Sequence, residues 1–295
     1  MAKLITEDDI EQAILDKLKK EEYDYNIIRC DPNPEKKEDL NDGTGRTSKT
    51  DCILPDVLKQ SLVSINPDIL EPLIDEKIKE LSSNFDGSDL DDVNYNLYNK
   101  IRNGIKLTVV KDGVEDFEFI KLIDFDHPEK NTFTAVSQMW IQGRYNWRRP
   151  DVLIFVNGLP LVFIELKNSI VKVEEAYNKN LKDYLKDIPN LFAFNQICVL
   201  SNGLETKLGA FNSTYEFFFE WLKVDSEKEK INRKAIEEEG VSINYFIEGL
   251  LKPERLIDYI ENFILFNNQK TKIIAKNHQY LGVNKFFKFS KRECF

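Results

Sequence analysis

The chain has 295 residues, 42% of them hydrophobic and 12% aromatic, a composition that allows a sizeable core and excludes wholesale disorder. Its formal net charge of −10 argues against a general nucleic-acid coat protein. No run of about 18 apolar residues occurs and the N-terminus is charged and amphipathic, so the sequence predicts neither a membrane span nor a secretion signal. Four scattered cysteines without a CxxC pair fit a reducing cytoplasm, and two histidines leave little material for histidine metal sites.

The first half of the chain alternates helical and strand-like segments. Residues 6–20 are predicted to form a helix that is capped by Thr6 and carries one apolar stripe at helical spacing. The stripe consists of Ile10, Ala13, Ile14 and Leu18. Further along, residues 23–29 indicate a strand, 31–50 a loop, 56–65, 67–83 and 90–104 helices (the last ending at Gly104), and 105–124 a hairpin around Asp112-Gly113.

The second half begins with strands and ends with helices. Residues 131–141 are predicted to continue the sheet, 151–166 to form a hairpin, 169–189 an amphipathic helix closed by Pro189, 192–203 a buried strand, and 242–251 and 253–266 two helices. This order predicts an α/β domain, residues 1–222, with a mixed central sheet flanked by helices. Residues 223–267 would form a small helical appendage, and 268–295 a linker or the start of a further domain.

The least acidic part of the chain surrounds the hairpin. Residues 131–210 carry nine Lys or Arg and seven Asp or Glu, a net charge of +2, against −12 for the rest. Arg144, Arg148 and Arg149, just before the hairpin, are candidates to hold the phosphate backbone of a nucleic acid, although a solvated turn would explain them equally well.

The hairpin, "RRPDVLIFVNGLPLVFIELKN", places charged residues on apolar strands. Glu165 and Lys167 are two positions apart and therefore project from the same face of a strand. Buried charges are unfavourable unless they are paired or bound to a metal. For Asp151 to lie beside Glu165, the turn must contain an odd number of residues, such as 157–159 or 156–160, because a two-residue Asn157-Gly158 turn would pair position 151 with position 164. We therefore predict an odd loop, whose five-residue version also removes Pro160 from the strand ladder.

Two carboxylates on neighbouring strands predict a magnesium or manganese site. Oxygen ligands of this kind suit Mg²⁺ or Mn²⁺, which would polarise a phosphodiester and activate a bound water. Lys167 is placed to position that water and to offset negative charge in the transition state. The alternative from spacing alone is a structural Glu-Lys pair on an exposed edge strand.

The motif Pro150-Asp151 followed by Glu165-Leu166-Lys167 matches the PD-(D/E)xK nuclease pattern. With "FVNGLPL" between the acids, "YLKDIPNLFAFNQICVLSNG" after them, "NTFTAVSQMW" before and "IIAKNHQYLGVNKF" near the end, the chain resembles the N-terminal nuclease region of the type I restriction enzyme R subunit. The resemblance implies a PD-(D/E)xK fold and a DNA endonuclease of the type I site-specific deoxyribonuclease class. It assigns metal binding to Asp151, Glu165 and the Leu166 carbonyl, and catalysis to Lys167.

The same resemblance extends to two neighbouring helices. RecB-like members carry Gln-x-x-x-Tyr on the following helix, where this chain has Tyr184 but Asn180 in the Gln position, which shortens the reach of the amide. An acid of the first helix often joins the site, and Glu11 is the first candidate, with Glu7 as the fallback.

The resemblance also implies partners. R subunits act on double-stranded DNA in the cytoplasm together with methyltransferase (M) and specificity (S) subunits, and they carry an ATP-driven translocase after the nuclease. Residues 268–295 would lead into that translocase, so ATP is not expected to bind this chain, and no membrane partner is expected. The stretch "GTGRTSKT", Gly43 to Thr50, resembles a phosphate-binding loop only with Ser48 in a glycine position, and a flexible loop is the simpler interpretation.

Two other functions remain open from the residues. One is a free-standing RecB-like or junction-resolving nuclease. The other, from a different class, is a non-catalytic DNA-binding or subunit-docking module that keeps the fold without the chemistry.

Overall fold

The computed structural model describes residues 4–82, 85, 87–111 and 114–293 of the chain. The helices are α1 Glu7–Leu18, α2 Pro55–Ile65, α3 Glu71–Leu81, α4 Leu90–Asn103, α5 Val173–Glu175, α6 Lys182–Asp187, α7 Pro189–Phe194, α8 Arg233–Glu239, α9 Ser242–Leu250, α10 Pro253–Asn262 and α11 Asn277–Glu293. The strands are β1 Asn26–Arg29, β2 Ile105–Lys111, β3 Val114–Ile120, β4 Phe133–Ser137, β5 Ile141–Gln142, β6 Trp147–Arg148, β7 Val152–Val156, β8 Leu159–Leu166, β9 Ile197–Ser201, β10 Thr206–Gly209, β11 Phe219–Glu220, β12 Ile264–Asn267 and β13 Thr271–Ile274.

A seven-stranded sheet in the order β1-β4-β7-β8-β9-β10-β11 forms the centre of the fold. It is mixed, because β1 runs parallel to β4 whereas β4 and β7, and likewise β9 and β10, are antiparallel. Strands β4, β7, β8 and β9 are buried along their whole length, which explains their nearly continuous apolar sequences. The predicted α/β class with a mixed central sheet flanked by helices is confirmed.

Several predicted elements take a different form, and the predicted strand 192–203 begins only at Ile197 because Pro189–Phe194 form α7. The hairpin of β2 and β3 is a separate two-stranded sheet rather than part of the central one, and its predicted turn residues Asp112 and Gly113 lie outside the described residues. The segment 253–266 is not one helix, because α10 ends at Asn262 and β12 pairs with β13. A short apolar run such as "FILF" fits either a helix or a strand, so periodicity alone does not decide between them.

The first helix begins as predicted. Thr6 accepts a hydrogen bond from the Asp9 N–H, and the Asp9 side chain accepts one from the Thr6 N–H, forming a capping box. The predicted stripe is correct at three of its positions, whereas Ala13 is exposed and Leu15 is buried in its place. The helix therefore buries a slightly rotated face.

The chain groups into two compact units that are interleaved along the sequence. One unit comprises Met1–Asp24, Ile164–Lys182 and Ile197–Phe295, and the other Tyr25–Phe163 and Asp183–Gln196. The domain boundaries at residues 222 and 267 stay predictions. Within the part of the chain that the structure describes, no helix is both long and apolar enough to cross a membrane.

Each unit has its own packing. In the unit that contains β4 and β7, the buried Asn94 of α4 donates to the carbonyls of Phe192 and Ala193 in α7, at 2.9 and 3.0 Å. In the other unit, the buried Trp221 packs edge-on against Tyr259, with ring centroids 5.8 Å apart. The segment 268–295 contributes β13 and α11 to the unit that contains Trp221.

The predicted loop 31–50 has no regular structure, yet it contains a buried ion network. Asp42 accepts hydrogen bonds from Lys49 Nζ at 2.7 Å, from Arg46 Nη2 at 2.8 Å and from the Thr44 N–H at 3.0 Å. Burial would raise the pKa of Asp42, but the hydrogen bonds and the nearby positive charge outweigh it and lower that pKa from 3.8 to about 2. The loop is thus held by a carboxylate that must be ionised.

Asp42→Asn is expected to lower the free energy of unfolding by about 3 kcal/mol at pH 7, because Arg46 and Lys49 lose their buried counter-charge. The folded-state pKa lies below the unfolded one, so the stabilisation by ionised Asp42 is complete above about pH 4 and is lost as the pH falls through about 2. Urea unfolding at pH 7, 4, 3 and 2 measures this, and the difference between wild type and variant should shrink at low pH. A pH-independent difference would contradict the assignment.

Candidate active site

The hairpin turn between β7 and β8 has two residues, so the predicted odd loop is wrong. Asn157 and Gly158 have φ angles of 50° and 81°, the left-handed pair that a type I′ turn requires. Pro160 lies inside β8 rather than in the loop. The Asn157 side chain is buried and bonded on several sides, and this fixes the short turn.

Asp151 lies one residue before β7 begins, in a bend and half-buried. Its carbonyl accepts a hydrogen bond from the Gln138 N–H at 3.0 Å, and its Oδ1 lies 3.4 Å from Gln138 Nε2. Because Asp151 precedes the regular strand, the pairing of β7 with β8 does not dictate the direction of its side chain. The placement of Asp151 beside Glu165 stays a prediction.

Two oxygen atoms, one from Glu165 and one from Leu166, accept hydrogen bonds from the Lys167 ammonium. Lys167 Nζ donates to Glu165 Oε1 at 3.0 Å and to the Leu166 carbonyl at 2.7 Å. The Glu165 residue is only 2% exposed, and the Lys167 N–H donates to the Ser201 carbonyl of β9 at 2.8 Å, which holds the end of β8 in the sheet. The contact fits the two-residue strand period, because this hydrogen bond continues the pairing one residue beyond the end of β8.

These oxygens fit a hard cation. A carboxylate and a backbone carbonyl that converge on one positive group are the ligand types that Mg²⁺ and Mn²⁺ select. Among the residues that the structure describes, no group of three or more His, Cys, Asp or Glu side chains is placed to hold a metal ion. A metal here would therefore complete its shell with the carbonyl, water and substrate oxygens, as Mg²⁺ commonly does.

The start of α1 is attached to the segment that follows β8. The Glu7 N–H donates to Asn168 Oδ1 at 3.0 Å, and Ile5 and Ser169 exchange two hydrogen bonds at 3.0 and 3.1 Å. Glu7 Oε1 consequently lies 4.0 Å from Lys167 Nζ. The structure thus brings the fallback acid to the lysine; Glu11 is buried one turn further along, and the roles of both acids stay predictions.

The helix after the site is interrupted by a π-helical segment, Ala176–Leu181. This segment contains the half-buried Asn180, and π segments are frequent at functional sites. Tyr184 on α6 is 6% exposed, and its hydroxyl donates to the Arg149 carbonyl at 3.0 Å. The site roles of Asn180 and Tyr184 stay predictions.

Of the three arginines before the hairpin, Arg148 makes the most contacts. Its guanidinium lies 2.5 Å from Asp187 Oδ2 and 3.1 Å from Asp183 Oδ2. Arg149 Nη1 donates to the Pro32 carbonyl at 2.6 Å, and Arg144 is exposed beside the Tyr145 ring. DNA contact by these arginines stays a prediction.

Asp187 was not among the predicted site residues. Burial would raise its pKa, but hydrogen bonds from Asn146 and Arg148, together with the Arg148 charge, lower the pKa below its usual value. The signal available in the sequence is an acid in the last turn of a helix, where the macrodipole disfavours negative charge.

Comparisons with known proteins agree on one family. The sequence model described as "Type I restriction enzyme R protein N terminus" matches residues 4–217. The HindI endonuclease subunit of Haemophilus influenzae, a type I restriction enzyme, is 33% identical over 95% of this chain and 26% of its own length. The putative MjaIXP endonuclease subunit of Methanocaldococcus jannaschii is 33% identical over 96% of this chain and 28% of its own length.

A third relative, the SsaAORF53P endonuclease subunit of Staphylococcus saprophyticus, is 29% identical over 53% of this chain and 16% of its own length. The chain therefore spans about a quarter of the length of the first two relatives. The family match extends across the hairpin, Glu165 and Lys167, and α6. The chain belongs to the family of type I restriction enzyme R protein N-terminal regions.

Proposed function

We propose that the chain is the metal-dependent DNA endonuclease module of a type I restriction enzyme R subunit. The observation that carries this proposal is the buried Glu165 carboxylate beside Lys167, with the Leu166 carbonyl on the same ammonium, in a chain of this family. The relatives' names as endonuclease subunits support the same activity. Mg²⁺ or Mn²⁺ is the proposed cofactor.

Asp151, Glu165 and the Leu166 carbonyl would hold the metal, which supplies a polarised phosphodiester and a more acidic water. Lys167 would position the attacking water and offset the negative charge that develops on the phosphoryl oxygens. Water adds to phosphorus and loses a proton to solvent, while the bond from phosphorus to one deoxyribose oxygen breaks and that oxygen leaves as a hydroxyl after taking a proton from solvent. Tyr184, Asn180 and one of the acids Glu7 or Glu11 would support these groups.

The proposed substrate is double-stranded DNA. By the family resemblance, methyltransferase and specificity subunits would supply site recognition and methylation status in the cytoplasm. ATP-driven translocation would belong to the longer R subunit rather than to this chain. Because cleavage by such a module is expected to await the assembled complex, metal binding is the more decisive measurement.

The test is calorimetric titration of the purified chain with Mn²⁺ and Mg²⁺, followed by nicking of supercoiled plasmid. Asp151→Asn should weaken metal binding at least about tenfold, since one of few protein ligands is lost. Asp183→Asn, which alters an exposed acid, is the matched control and should bind like wild type. Metal binding that does not depend on Asp151, or no binding at all, would favour a docking module over a nuclease.

A further inference from the structure

The segment that leads into Asp151 is attached to helix α6 at four points. Asp187 Oδ2 accepts from Arg148 Nε at 2.7 Å, and its Oδ1 accepts from Asn146 Nδ2 at 2.9 Å. The backbone of Gly143 is pressed against the Asp187 carbonyl so closely that a Cβ there would come within 1.8 Å of it. One turn earlier, Tyr184 holds the Arg149 carbonyl.

These contacts fix a short hairpin with little structure of its own. β5 and β6 pair at only two positions, Ile141 with Arg148 and Gln142 with Trp147. Residues 144–146 at its tip are exposed. A two-stranded ribbon of this length is not stable alone, so its position depends on the groups that it contacts.

The central contact is an ion pair between a buried acid and a half-buried arginine. The Asp187 side chain is 6% exposed and that of Arg148 31% exposed. Ion pairs shielded from water add little net stability compared with apolar residues of similar size, and in some proteins they fix a defined geometry instead. Here the ion pair holds the backbone at Arg148, which lies three residues before Asp151.

We propose that Asp187, with Arg148 and Asn146, is a positioning group for the metal ligand Asp151, and that Arg148 serves this purpose rather than binding a DNA phosphate. We call these three residues the Asp187 clamp. The proposal rests on the proposed function, in which Asp151 binds the metal. The clamp acts through the backbone of residues 149–151, whose far end is held by the hydrogen bond from the Gln138 N–H to the Asp151 carbonyl.

That last hydrogen bond provides a readout that requires neither metal nor activity. Amide hydrogen exchange at Gln138 should be about tenfold faster in Asp187→Asn and in Arg148→Met than in wild type, with amides of β10 as the internal reference for global stability. Asn146→Ala, which removes one hydrogen bond and is the mildest variant, should give a smaller increase in the same direction. Asp183→Asn, which alters the exposed partner of Arg148, should have no effect.

Two binding measurements complete the test. The dissociation constant for Mn²⁺ should rise about tenfold in Asp187→Asn and Arg148→Met, as when a group that orients a ligand is lost. The salt dependence of DNA binding should keep its slope in Arg148→Met, because a lost phosphate contact would lower the slope by about one.

Exchange at Gln138 that stays equal to wild type in all three clamp variants, or a reduced salt slope in Arg148→Met, would overturn the proposal. The two proposals fail in different ways. A wild-type chain that binds no Mn²⁺ removes the proposed function, while the exchange measurement still decides whether the clamp positions Asp151.

Discussion

Lys167→Met is expected to reduce plasmid cleavage strongly while strengthening metal binding. Cleavage should fall by about 10²–10³-fold, the usual effect of removing one group that stabilises transition-state charge. Metal affinity should rise because the Lys167 ammonium now occupies the position toward which Glu165 Oε1 and the Leu166 carbonyl point, at 3.0 and 2.7 Å. Without the ammonium, a bound metal cation offsets more of the free-energy cost of burying the Glu165 carboxylate.

Glu165→Gln is the matched variant and should have the opposite effect on binding. It keeps the size of the side chain and the hydrogen bond from Lys167, but it removes the negative charge that attracts a divalent ion. Thermal unfolding with and without Mn²⁺ measures both variants, since a ligand at 100 times its dissociation constant stabilises a protein by about 2.7 kcal/mol. Metal-dependent stabilisation that persists in Glu165→Gln, or cleavage that persists in Lys167→Met, would refute the assignment of these residues.

Local rules predicted the parts of the site that depend on local geometry. The contact between Glu165 and Lys167 fits the period of β8, which the hydrogen bond from the Lys167 N–H to Ser201 extends by one residue. The start of α1 follows from Thr6 and the acids after it. The sheet-forming segments were recognisable because strands buried on both faces have long apolar sequences.

The hairpin turn was mispredicted because the loop length was chosen to align Asp151 with Glu165 and not from the turn preference of Asn-Gly. Asn-Gly strongly favours a two-residue type I′ turn, and the structure has that turn. The odd loop was invoked to align Asp151 with Glu165, but Asp151 lies outside β7, where strand register no longer fixes the side-chain direction.

Other features depend on contacts between distant residues. Asp187 bonds to Arg148 and Asn146, about 40 positions earlier, and the ion network around Asp42 includes a bond from Arg46 to the Trp140 carbonyl. Neither network has a periodic signal in the sequence. A local anomaly, the acid at the end of α6, was the available indication.

Asn157→Ala is expected to lower the free energy of unfolding by about 3–5 kcal/mol, because it leaves several buried groups without partners. The Asn157 side chain accepts from the Thr132 N–H at 2.7 Å and donates to the Leu122 carbonyl at 2.9 Å and to Asn131 Oδ1 at 2.8 Å. The residue is fully buried, so water does not replace these bonds in a tightly packed site.

Gly158→Ala tests the same turn through its backbone and should destabilise the protein by a similar amount, about 3–5 kcal/mol, from a positive φ and overpacking. A Cβ at Gly158 would lie 2.6 Å from the Leu54 carbonyl and 2.7 Å from the Leu58 nitrogen, and both are backbone atoms of the start of α2 that cannot rotate away.

Urea denaturation measures the free energy of unfolding of both variants. A third variant, Asn157→Gly, separates the loss of the amide hydrogen bonds from the strain of a positive φ. Asn157→Gly removes the amide but relieves the strain at φ 50°, so it should be less destabilising than Asn157→Ala. If Gly158→Ala proved neutral, the turn would not be buried against α2, and the short turn would no longer explain the register of the strands that carry the site.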